Sequence, residues 1–252
     1  MGAAGRAGRL AGKLVVRFIV IAVVASVAIF GLLYTTTPIP DAPREPVSLS
    51  YGGDGHGARH HPVPLSRVPR KVRMAFIAAE NRGFYDDPGV SVTGLARAAW
   101  STLVRDDVQG GSTITQQMVR NYYPGIGLEQ TVGRKLKEII IALKVTEAQS
   151  KDWILETYLN SIYFGRGAYG IEAASQAYYK RHVQDLTTAQ AAFLAAVVQR
   201  PNHFDRPYGA RRPAAEARWR YVVDGMREIG ALTPAEAAAL RYPSPPRPSR
   251  TR

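Results

Sequence analysis

The 252-residue sequence contains no cysteine. Disulfides, a thiolate nucleophile and a thiolate-held zinc are therefore excluded, and redox chemistry leaves the compartment open. Acidic residues are also scarce, with 20 Asp and Glu against 33 Lys and Arg, a formal net charge of +13. That excess attracts an anionic partner, whether nucleic acid, phospholipid headgroups or a phosphorylated substrate, and does not choose among them. Aromatic residues are not interleaved with the basic ones in any recognised nucleic-acid module, so no nucleic-acid partner is expected. Strand-like alternation is rare, whereas apolar residues recur at helical spacing in several segments, and the expected fold class is mainly α. The length suits one sizeable domain with appendages.

Long apolar runs are few. The clearest covers residues 18–34, seventeen residues without a charge, just long enough to cross a bilayer core. Arg6, Arg9, Lys13 and Arg17 precede it and the next basic residue is Arg44, a bias that places the amino terminus in the cytoplasm and the rest outside. The segment is long for a signal-peptide core and is followed by no small-x-small cleavage site, so it reads as a single transmembrane anchor behind a cytoplasmic basic segment, 1–17. Residues 35–64, dense in Pro and Gly, read as an extended linker. His56, His60 and His61 lie there without acidic neighbours and do not read as a metal site. Residues 241–252, rich in Pro, Ser and Arg, read as a disordered tail. The folded unit is expected over 65–240.

Three stretches of that unit carry chemistry. The first is a helix starting after Ser66, with Pro69 near its first turn, an apolar stripe of Val72, Phe76, Ile77 and Ala79, and Gly83 to end it. Glu80 sits at its carboxyl end, where the helix dipole repels a carboxylate, so helix support does not explain it and a general base does. The bland alternative is a surface glutamate paired with Arg82. The second stretch is Gly110-Gly111-Ser112-Thr113-Ile114-Thr115-Gln116-Gln117, in which Thr113 and Gln116 have capping-box spacing. A helix amino terminus there suits a phosphate, although a glycine pair before a cap usually only starts a helix. The third is Arg134-Lys135-Leu136-Lys137-Glu138. Helical spacing puts Arg134, Lys137 and Glu138 on one side of a largely apolar helix, and one glutamate cannot neutralise three cations, which leaves room for an anion. Between the first two, residues 94–104 read equally as buried core or as a surface dipping into lipid.

In this order the stretches resemble the peptidoglycan glycosyltransferases, glycosyltransferase family 51. Glu80 to Gly89 resembles the family's E-D-x-x-F-x-x-H-x-G, Gly110 to Gln117 matches its G-G-S-T-I-T-Q-Q, and Arg134 to Glu138 its R-K-x-x-E. Lys151 to Asn160 is similar to K-x-x-I-L-E-x-Y-L-N, and Tyr163-Phe164-Gly165 with Gly170 to Y-F-G-x-x-x-x-G. Asn81 stands where the family has aspartate, Asp87 where histidine is common, and Arg120 where lysine is frequent.

The resemblance implies a lysozyme-like helical domain with a membrane-facing jaw within 91–108. It implies polymerisation of lipid II into glycan strands, with Glu80 deprotonating the acceptor 4-hydroxyl, inversion at the anomeric carbon and release of undecaprenyl pyrophosphate. Asn81, Ser112, Thr113, Gln116, Gln117, Arg120, Arg134, Lys135 and Lys137 would bind substrate, and Glu138 would organise the cations or hold a divalent metal, Mg or Mn. No organic cofactor is implied. Partners would be lipid II, the growing strand, the cytoplasmic membrane and other cell-wall synthesis proteins. No serine has a lysine three residues on, as a transpeptidase nucleophile would, so the chain is expected to be monofunctional or a fragment. The rival readings are a lytic enzyme of similar shape, which cleaves finished glycan, and a catalytically silent membrane scaffold. Glu156 and Asn160 are expected to be structural.

Overall fold

The structure, a computed structural model, describes residues 3–51, 59–91, 94, 111–127 and 131–247. They divide into two units, 1–39 and 40–252. The first is one helix, α1, Ala3–Thr36. Its segment Lys13–Thr36, 24 residues of mean hydropathy 2.7, is long and apolar enough to cross a membrane. The hydroxyls of Thr35 and Thr36 donate to Leu32 O at 2.9 and 2.8 Å and close the last turn just before Pro38, which cannot continue it.

The second unit is mainly α. Its longer helices are α2, Arg70–Glu80; α3, Ile114–Tyr122; α4, Val132–Ala148; α5, Lys151–Ser161; α6, Ile171–Tyr179; and α7, Thr188–Val197. A short α8, Pro201–Phe204, leads to α9, Arg212–Glu228, and α10, Pro234–Ala239. Caps fix where most begin: Thr113, Thr131, Ser150, Thr187 and Thr233 each accept a backbone N–H of the first turn. The helices pack in two groups. In one, α2 lies against α7 and α9; in the other, α3 lies against α4 and α5. Phe76 of α2 joins them, its ring edge-on to Tyr158 of α5 and to Phe164 at 6.4 and 5.8 Å. Glycine sets the approach of α9 to α2, because a Cβ at Gly225 would stand 2.9 Å from Ala78 O.

Two expectations from composition are corrected here. The stretch 35–64 is not a free linker throughout. A 3-10 turn, Val47–Tyr51, packs against α3, and buried Ser48 donates to Ser161 O at 2.6 Å. Beyond it a two-residue strand β1, Arg59–His60, pairs in parallel with β2, Ala168–Tyr169. Glu156 and Asn160 fasten the chain next to it: Glu156 Oε2 accepts Leu65 N–H at 2.6 Å, while the Asn160 amide exchanges hydrogen bonds with the backbone of Val63. These bonds satisfy backbone groups that composition does not reveal. Nor is the end of the chain loose over 241–247. Tyr242 packs edge-on to Phe193 and Trp219, Tyr179 donates to Pro243 O, and Tyr208 donates to Pro246 O at 2.7 Å. Proline has no N–H to donate, but its carbonyl still accepts. The expected jaw within 91–108 lies outside the described residues, apart from Ser91 and Gly94.

Candidate active site

Glu80 is the last residue of α2, and Asn81 caps it with an extended φ of −160°. The helix therefore ends three residues before Gly83, and Glu80 is turned into a cavity of about 650 Å³ between the two helix groups. Two helices hold its carboxylate. Gln117, in the first turns of α3, donates to Oε2 at 2.7 Å, and Arg218 of α9 reaches Oε1 at 3.4 Å. The side chains of Glu80 and Arg218 keep only 12% and 15% of their surface. Arg218 also donates to Ala79 O and lies 4.4 Å over the ring of Tyr221. Behind them, the wholly buried hydroxyl of Tyr158 makes no hydrogen bond among the described residues. Burial pushes its pKa well up, Glu80 pushes it further, and the charges of Arg120 and Arg218 oppose that. Arg120 lines the same cavity, as do Ser112, Thr113 and Asn81.

A continuous polar chain runs from Glu80 to the third motif. Gln117 Nε2 lies 3.5 Å from Ser112 O, and Ser112 Oγ accepts from Lys135 Nζ at 2.8 Å. Lys135 then pairs with Glu138, whose other oxygen takes Arg134 at 2.6 Å. Glu138 has no exposed surface, so both carboxylate oxygens are spent on these two cations. This arrangement does not fit a resident divalent metal. The donors are already neutralised, and among the described residues no group of three His, Asp or Glu is placed to hold an ion.

Several sequence expectations are redistributed. Lys137 does not join Arg134; it is exposed and donates to Gly125 O at 2.9 Å. Gln116 is 1% exposed and completes the capping box, its Oε1 accepting Thr113 N–H, so it faces the helix start and not the cavity. Thr113 combines both positions: it borders the cavity, accepts Gln116 N–H and donates to Gly89 O at 2.6 Å. Arg82 pairs with Glu228, leaving Glu80 without the surface partner of the bland reading. Arg218 was absent from the expected set. Its signal is there, since it falls on the stripe of Ala215, Val222 and Gly225, all buried, where a cation needs a reason.

A carboxylate at a helix end, gripped by an amide and an arginine in a cavity that Arg120 also lines, defines the class: a mainly helical domain with a polar, charged cleft. The chain belongs to the transglycosylase family, whose model matches residues 49–227. It is 51% identical over 183 residues to penicillin-binding protein 1A of Mycobacterium tuberculosis, covering 72% of this chain and 22% of that protein. To penicillin-binding protein 1A of Mycolicibacterium smegmatis it is 42% identical over 257 residues, covering 95% of this chain and 32% of the relative. The chain thus spans between a fifth and a third of the length of these relatives. The crystal structure of penicillin-binding protein 1A from Haemophilus influenzae overlaps 75% of this chain and 18% of its own at 19% identity with a TM-score of 0.42, which adds nothing to the assignment.

Proposed function

We propose that this chain is a membrane-anchored peptidoglycan glycosyltransferase that polymerises lipid II on the outer side of the cytoplasmic membrane. The observation that carries the reading is the Glu80 carboxylate, fixed between Gln117 and Arg218 on the cavity wall and joined through Ser112 to Lys135. Glu80 removes the proton of the acceptor sugar's 4-hydroxyl. The oxygen attacks the anomeric carbon of the donor, the bond from that carbon to the pyrophosphate breaks with inversion, and undecaprenyl pyrophosphate leaves carrying the electron pair. Arg120, Arg218 and Lys135 offset the charge that develops, the kind of preorganised stabilisation that contributes most to such steps. Glu138 positions Arg134 and Lys135 and takes no part as a metal ligand. The basic residues before α1 place the amino terminus in the cytoplasm. Other cell-wall synthesis proteins are the expected neighbours.

The test is to supply the purified chain with lipid II and, separately, with finished glycan. Polymer formed from the first, and abolished in Glu80→Gln with an unchanged melting temperature, supports the proposal. Cleavage of finished glycan without polymerisation would establish a lytic enzyme instead, and a chain inactive on both would be a scaffold.

A further inference from the structure

Lys151 opens α5 at its first position, where the helix dipole disfavours a cation, so something else must hold it there. Two groups do. Its Nζ donates to Asp87 twice, to the backbone oxygen at 2.7 Å and to Oδ1 at 2.8 Å, and lies 4.7 Å over the ring of fully buried Phe84. Asp87 Oδ1 also accepts Gly89 N–H at 2.8 Å. The remaining oxygen, Oδ2, accepts the side-chain amide of Asn81. Lys151 and Asp87 retain only 18% and 12% of their side-chain surface. The pair is therefore shielded and its geometry is firm.

The consequence falls on Asn81, which borders the cavity beside Glu80. An amide can present either its NH2 or its oxygen, and the contact to Asp87 fixes the choice. With Nδ2 committed to Asp87, Asn81 Oδ1 is left, and it takes no hydrogen bond among the described residues. Resting on the reading of Glu80 as the base, we propose that Asp87 and Lys151 are positioning residues that lock the Asn81 amide so that its oxygen accepts a hydroxyl of the bound sugar.

The proposal makes the two positions interdependent. In Asn81→Asp two carboxylates face each other with no donor between them, and the carboxylate at 81 is turned off its aim. In the exchange Asn81→Asp/Asp87→Asn, the new amide oxygen at 87 still accepts from Lys151 and Gly89, and its NH2 donates to the carboxylate at 81, so an acceptor again faces the cavity. In Asp87→Asn alone, the amide at 81 is free to rotate and offer its NH2 to the sugar.

The experiment measures lipid II polymerisation, as kcat and KM separately, with melting temperatures, for the wild type and these three variants of the full chain in detergent. Expected are a loss of about tenfold in kcat/KM for Asn81→Asp, recovery to within about threefold in the exchange variant, and a KM rise at nearly constant kcat for Asp87→Asn. A wild type that polymerises while Asn81→Asp keeps full activity, or while the exchange is no better than Asn81→Asp, overturns this inference alone. So does a loss that follows melting temperature across all three variants. A wild type that forms no polymer sinks the proposed function and this inference with it.

Discussion

Glu138 has no exposed surface and answers two cations, so its neutral isostere should be costly. Glu138→Gln is expected to lower unfolding free energy by about 3 kcal/mol in denaturant titrations, since Arg134 stays largely buried while Lys135 can turn to solvent. Gly89 makes a second sharp case. Its φ is +93°, and a Cβ there would stand 2.3 Å from Thr146 Oγ1 and 2.6 Å from Ala142 O. Gly89→Ala should therefore destabilise by about 3 kcal/mol, and it should also disturb Thr113, which donates to the Gly89 carbonyl. At this scale the sequence was legible in placement: Glu80 falls at the helix carboxyl end that the pattern indicates, and it lines the cavity. It left a choice open where one side chain has two uses. Gln116 sits in a matched motif yet serves the cap, and Lys137 shares a helix face with Arg134 by spacing but reaches a loop carbonyl instead. Arg218 lies more than a hundred residues from Glu80 in sequence, so only its place on an apolar stripe pointed to it.

Among elements, the junction of α6 with the 3-10 turn Val183–Asp185 depends on one carboxylate. Burial alone would raise the pKa of Glu172, but hydrogen bonds from Val183 N–H at 2.9 Å, His182 and Gln176 outweigh it, and the net shift is downward. A depressed folded value means that the contribution is complete above the unfolded pKa, near 4.5, and is lost as pH falls through the lower folded value. Equilibrium unfolding of Glu172→Gln beside the wild type should show a clear deficit at pH 7 that shrinks below pH 4. Helix starts were the most readable elements, because the capping box at Thr113 is local chemistry. Connections were the least. Residues 47–51 and 59–64 look like linker by composition, and they are held by partners on α3, α5 and β2, contacts of long sequence separation that no window over the sequence contains.

For the whole molecule, the helical character and the order of the two units followed from periodicity and from the apolar run at the start. The fastening of residues 241–247 did not, since prolines that cannot build a helix still offer carbonyls to Tyr179, Tyr208 and Arg166. One prediction belongs here. The intact chain should float with phospholipid vesicles in a density gradient and resist extraction by high salt, whereas residues 40–252 alone should be released far more readily as salt rises. Recovery of both forms in the same soluble fraction at low salt would refute it. The first helix also has length to spare. Thirty-four residues at about 1.5 Å each make a rod of roughly 51 Å, against some 30 Å of hydrocarbon. Were Lys13–Thr36 to span a bilayer, the ten helical residues before it, about 15 Å, would extend past the lipid as a stiff stub carrying Arg6 and Arg9, and a neighbour on that side would meet a preformed cylinder and would not have to order a floppy tether before gripping it.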